Sequence, residues 1–159
     1  MSLLTLDQAR AHCRLEPDYP DDQLQPYLDA AESYVIGHLN RAVYADDTAL
    51  ATAQAGMAAA VGTAYTAYQD ALTAARAMDN PAQQTAAINI AEAQYAAANQ
   101  DAARIQRGIV VNGAIEGAIL LTLGNLFANR EADVVGLQVS ALPSGVRELL
   151  RPFRTVSMP

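Results

Sequence analysis

Three features of this sequence invite a chemical reading: the adjacent pair His12 and Cys13, the distant His38, and the acidic trio Asp18, Asp21 and Asp22. A thiolate beside an imidazole would supply a nucleophile and its base. Neighbouring helical residues point in different directions, however, so an activated pair is not indicated and Cys13 reads as a small buried thiol. His38 falls at the end of a helical pattern, where a polar or capping role is ordinary. The acidic trio lacks the glycine and the distal glutamate of a calcium loop, and helix capping and solubility account for it more economically. Gly113, Gly117 and Gly124 lie within a helical pattern and read as close-packing residues, not as a phosphate-cradling loop. The expectation is a protein with no catalytic residue, no cofactor and no metal site.

The arginines carry the more useful chemistry. Arg147, Arg151 and Arg154 alternate with Leu149, Leu150 and Phe153 near the carboxyl end. Residues 1 to 47 hold nine acids against three arginines, whereas 108 to 159 hold four against four. Arg147, Arg151, Phe153 and Arg154 are therefore candidate interaction residues, able to contact the acidic part of a neighbouring copy. The competing reading is a solvated helix face. Net charge is −7 and lysine is absent, so specific nucleic-acid binding is not expected.

The single cysteine excludes an intrachain disulfide. The first seven residues lack the basic and apolar pattern of a secretory signal, and the longest apolar stretch, Ile115 to Phe127, is too short to span a bilayer. A soluble protein made inside the cell is the expectation.

Positioning falls to helices. Thr5 and Gln8 form a capping-box pattern opening a short helix to about Leu15, and Pro17 and Pro20 stop it. Asp21 or Asp22 caps a second helix in which Leu24, Leu28, Ala31, Val35 and Leu39 form an apolar stripe ending near Asn40. Between Ala49 and Arg107 alanine dominates. Met57, Val61, Tyr65, Tyr68 and Leu72 step at helical spacing, Asp79-Asn80-Pro81 makes a turn, and Ile88, Ala91 and Tyr95 continue the stripe in a second run. This predicts an antiparallel helical hairpin about 40 Å long, packed through Met57, Val61, Tyr65, Tyr68, Leu72, Ile88 and Tyr95. A disordered low-complexity spacer would lack that stripe. Ile115, Ile119, Leu123 and Phe127 give a further apolar helix, whose glycines imply close approach of another helix. A brief extended segment is expected over 133–140, then a short helix over Val146 to Leu150 and a tail from Phe153. The fold class is all-α: residues 1–47 and 108–159 form one small helical bundle, and 48–107 is an inserted alanine-rich hairpin turning at 79–81.

Both ends of the chain resemble the head-tail connector, or adaptor, proteins of tailed bacteriophages. The resemblance runs through Leu3 to Leu15, Asp21-Asp22-Gln23-Leu24 and Leu28 to Arg41, and resumes at Ile115 to Leu121. Asn129-Arg130-Glu131, Leu142-Pro143-Ser144-Gly145-Val146 and Leu149 to Arg154 follow in the same order. It implies a structural subunit without turnover, assembling into a ring of commonly twelve or thirteen copies beneath the portal protein. Such a ring extends the DNA channel, lets DNA pass without specific binding, and docks a stopper or tail-completion protein. It implies a place in the virion neck after synthesis in the host bacterial cytoplasm, and no membrane contact. By the same resemblance, Arg147 to Arg154 match the family's portal-docking or intersubunit part. The alternative is a helical interaction or scaffold module that uses the alanine-rich hairpin.

Overall fold

A computed structural model describes residues 2–129 and 144–155. Among these the chain runs through α1 (Leu6–Cys13), α2 (Asp21–Leu39), β1 (Val43–Tyr44), α3 (Asp47–Arg76), α4 (Pro81–Gln106), β2 (Ile109–Val110), α5 (Gly113–Ala128) and α6 (Ser144–Leu150), closed by a 3₁₀ turn at Arg151–Phe153. It divides into two units, one built from the residues up to Asp46 and from Ile109 onward, the other from Asp47–Gly108.

The first unit is a small helical bundle. Thr5 accepts from the Gln8 amide while the Gln8 side chain accepts from the Thr5 amide, so two otherwise orphaned donors at the start of α1 are satisfied. Arg14 ends that helix in the left-handed region, φ 54°. Pro20 stands at the cap position of α2 without a side-chain hydrogen bond. Asp21 and Asp22 lie inside the first turn, where they complement the helix dipole in place of the capping role expected of them. Leu24, Leu28, Val35 and Leu39 of α2 meet Ile115, Ile119 and Leu123 of α5, and α6 closes the core with Val146 and Leu150. At one edge Phe127 takes the rings of Tyr19 and Tyr27 edge-on, with centroids 5.9 and 5.6 Å away.

Two features of this unit carry no sequence signal. Val43 pairs with Ile109 and Tyr44 with Val110 in a two-residue parallel ladder, so the otherwise helical chain contains a short bridge joining residues far apart in sequence. Glu32 is buried, and one of its carboxylate oxygens accepts from Ser2 Oγ at 2.7 Å, the Leu3 amide at 2.8 Å and the Leu4 amide at 3.0 Å. That anchors the segment leading into α1.

In the second unit α3 spans 30 residues and α4 spans 26, roughly 45 and 39 Å at 1.5 Å per residue. Asn80 caps α4 by accepting from the Ala82 and Gln83 amides, and Pro81 occupies a first-turn position where its missing N–H costs nothing. Ala75 and Ala91 are buried, and the Tyr95 ring stacks on Tyr68 at 5.2 Å. Met57, Val61, Leu72 and Ile88 are half-buried. Tyr65 is 49% exposed and touches Tyr95 from the margin at 5.8 Å, so Ala64, not Tyr65, continues the inner line of α3.

The last α-helix stops at Leu150, before Pro152, as expected. The chain continues as the 3₁₀ turn, and Phe153, at the start of the expected flexible or docking tail, belongs to that turn and packs on the core. The expected extended segment over 133–140 lies outside the described residues, as do Arg130, Glu131, Leu142 and Pro143 of the resemblance and the last four residues of the tail.

Candidate interaction surface

The residues first considered for catalysis are held apart by ordinary packing. Cys13 is half-buried, and burial pushes its thiol pKa up, away from the reactive thiolate. His12 is occupied elsewhere: its Nε2 lies 3.2 Å from where a Cβ on Gly124 would stand. Asp21 pairs with Arg10, which also contacts Asp7 at 2.8 Å. Among the described residues no group of three or more His, Cys, Asp or Glu side chains is arranged to hold a metal ion, and no helix is long and apolar enough to cross a membrane.

The three glycines of α5 differ in what surrounds them. A Cβ at Gly124 would press on the His12 ring, and one at Gly117 would rest at ordinary contact, 3.8 Å, from Leu149. At Gly113 it would meet nothing within 4 Å among the described residues, and the neighbours found at the other two are side chains. The same face of α5 leaves Leu121 exposed.

The carboxyl-terminal arginines are positioned by a built connection to the end of α2. Helix α6 turns Val146 and Leu150 inward, which sends Arg147 and Leu149 outward. The Arg154 amide donates to the Leu150 carbonyl at 3.1 Å, and the Thr155 amide donates to the Leu39 carbonyl at 3.0 Å. Asn40, left-handed at φ 52°, donates its side-chain amide to the Thr155 carbonyl at 3.2 Å. Arg41 Nη1 donates to the Phe153 carbonyl at 3.3 Å. These bonds satisfy backbone groups that the end of α2 and the last turn would otherwise leave open. They also fix Arg154 beside an open groove of about 710 Å³ lined by Tyr34, His38, Asn40, Arg154 and Thr155.

His38 reports the electrostatics of that groove. Its pKa lies below the ordinary imidazole range, first because of burial and then because Arg154 and Arg147 disfavour a further positive charge. Of the four interaction candidates, Arg147 and Arg154 thus act on the groove, and Phe153 packs against the core. Arg151 is exposed and stands 3.8 Å from Glu148, a surface pair of small energetic consequence. Sequence reading missed the part played by His38 and Tyr34. The available signal was an Asn40 suited to a left-handed helix end, two residues after His38 and six after Tyr34.

A family model described as phage gp6-like head-tail connector protein matches residues 3–154, nearly the whole chain. Comparisons with curated proteins and with solved structures gave no match.

Proposed function

The chain belongs to the phage gp6-like head-tail connector family, and on that premise we propose that it performs this structural role as the repeating subunit of a closed ring at the head-tail junction. In this reading the ring has twelve or thirteen copies, sits beneath the portal protein, continues the DNA channel and offers its other side to a stopper or tail-completion protein. Residues 1–47 and 108–159 act as the connector core, and 48–107 is a helical hairpin inserted into it. Arg147, Arg151, Phe153 and Arg154 serve contacts to a neighbouring copy or to the portal.

The observation that supports this most is the fixing of the 151–155 segment onto the end of α2, which holds Arg154 rigidly at the surface. A solvated tail would need no such connection. The acidic balance, −7 overall without lysine, suits a conduit past which DNA moves, since phosphate contacts would retard it.

Electron microscopy and native mass measurement of the purified chain, alone and with its cognate portal, test the proposal. Closed rings of twelve or thirteen copies, or rings nucleated on portal, are expected. A chain that remains monomeric with and without portal over a range of salt and concentration overturns it. The scaffold alternative draws on Tyr65 and Ile90, both exposed on the helices of the second unit. It is favoured instead if the chain binds a helical partner through 48–107 and forms no ring.

A further inference from the structure

We propose that the groove at the carboxyl end of α2, bounded by Tyr34, His38 and Arg154 with Arg147 alongside, receives the acidic loop between α1 and α2 of a second copy of this chain. The proposal rests on the ring reading above and gives that ring its polarity.

The groove is cationic on an acidic protein. Arg147 and Arg154 are exposed, and their charges are felt by His38. Tyr34, 48% exposed, adds an aromatic face to the same groove. The loop is its chemical complement. Glu16 and Asp18 in the loop and Asp22 in the adjoining first turn of α2 are exposed, and Pro17 and Pro20 give the loop exposed apolar surface suited to an aromatic ring. It is also held in shape before any partner arrives. The Tyr19 amide donates to the Glu16 carbonyl at 3.0 Å, Arg10 pairs with Asp21, and the Tyr19 ring is fixed against Phe127. A preorganised loop loses little conformational freedom on docking.

Geometry decides between partner in cis and partner in trans. Groove and loop sit at opposite ends of α2, about 25 Å apart at 1.5 Å per residue. That separation exceeds the screening length of about 8 Å at physiological salt, so the two patches do not neutralise each other within one chain. A contact that joins one end of a helix to the other end of the same helix in the next copy is heterologous. Such contacts propagate head to tail and generate a ring when the rotation closes, whereas a self-complementary patch would stop at a dimer.

The test is a charge exchange. One variant carries Arg147→Glu with Arg154→Glu, the other Asp18→Arg with Asp22→Arg. All four side chains are exposed, so both variants are expected to keep the helical circular dichroism of the parent. Each alone is expected to associate at least tenfold more weakly than the parent in sedimentation velocity and native mass measurement. An equimolar mixture is expected to recover association in alternating copies, because each junction between unlike variants joins opposite charges; a twelve-membered ring then closes fully, and a thirteen-membered one keeps a single like-charged junction. Arg154→Gln and Asp18→Asn provide milder versions that weaken association in the same order. Should the parent form rings while either reversed variant does so equally well, or should the mixture fail to recover, the groove assignment falls and the ring reading stands. A parent that never associates, even on portal, overturns both. Rings that form normally from the arginine variant but no longer hold portal assign the groove to portal and overturn the proposal. So does binding of a labelled DNA duplex that the arginine substitutions abolish without affecting assembly.

Discussion

At the scale of single residues, the chain uses a few polar side chains to fix backbone that apolar packing alone would leave loose. Glu32 is the strongest instance, because one buried oxygen satisfies two backbone amides and a hydroxyl at the entry to α1. Glu32→Ala is expected to destabilise the fold by about 2 kcal/mol, the cost of leaving buried donors unpaired. Glu32→Gln, which keeps an acceptor oxygen, should lose less. Urea denaturation measures both, and equal losses would mean that side-chain volume, not hydrogen bonding, is what matters there. His38 gives a second prediction, with its sign set by a pKa depressed in the folded state. Above the ordinary histidine value of about 6.5 both states are neutral and His38 has no effect on stability. As pH falls below it the unfolded chain takes up the proton first, so His38 subtracts stability until the folded-state pKa is passed. Arg154→Gln should raise that pKa part of the way, because burial, the larger cause, remains while the charge of Arg147 from α6 also persists. Titration of the imidazole proton by NMR checks this, and an unmoved or lowered pKa would refute it.

At the scale of elements, what is legible in the sequence is what repeats or caps. The Thr5–Gln8 capping box and the apolar stripe of α2 can be read from spacing and are found in place, whereas Asp79-Asn80-Pro81 was legible as a turn and the capping by Asn80 within it was not. The β1–β2 ladder could not be read, since two residues have no period and their partners are supplied by tertiary structure. The groove was half legible: Arg147 and Arg154 were singled out by charge, but their effect on His38 depends on how the 3₁₀ turn folds back onto α2. The glycines of α5 were legible as anomalies and not in detail. Gly117 is mid-helix with only ordinary contact to Leu149, so Gly117→Ala should stabilise the isolated chain by about 0.5–1 kcal/mol through helix propensity. A higher melting temperature together with weaker ring formation would mean that another copy approaches this face closely, whereas a lower melting temperature would sink the reading. Tyr95 sits between Tyr65 and Tyr68, so Tyr95→Asp, which puts a charge into that seam, should unfold α3 and α4 locally. Tyr65→Asp should cost less because Tyr65 is half in solvent. Hydrogen exchange across 47–108 distinguishes the two, and equal protection in both variants would contradict the marginal position of Tyr65.

At the scale of the whole molecule, the first unit is interrupted at its β bridge. The chain leaves the first unit at Asp46 and returns at Ile109, and Val43 and Ile109 are already paired across that break. The buried apolar residues of its core cluster, from Leu4 to Leu150, come entirely from the first unit. It follows that residues 47–108 can be replaced without removing a core side chain. Because the two strands are parallel, the replacement must run back along the ladder, which takes about a dozen residues. A chain with 47–108 exchanged for a flexible linker of that length is expected to melt cooperatively and to lose helical signal in proportion to α3 and α4. If the loop-to-groove contact governs assembly, the shortened chain should also still form rings, since loop and groove both belong to the first unit. A shortened chain that folds but no longer assembles would move the assembly determinant into the alanine-rich helices and favour the scaffold alternative. One that fails to fold would show that the short ladder depends on the helices it introduces.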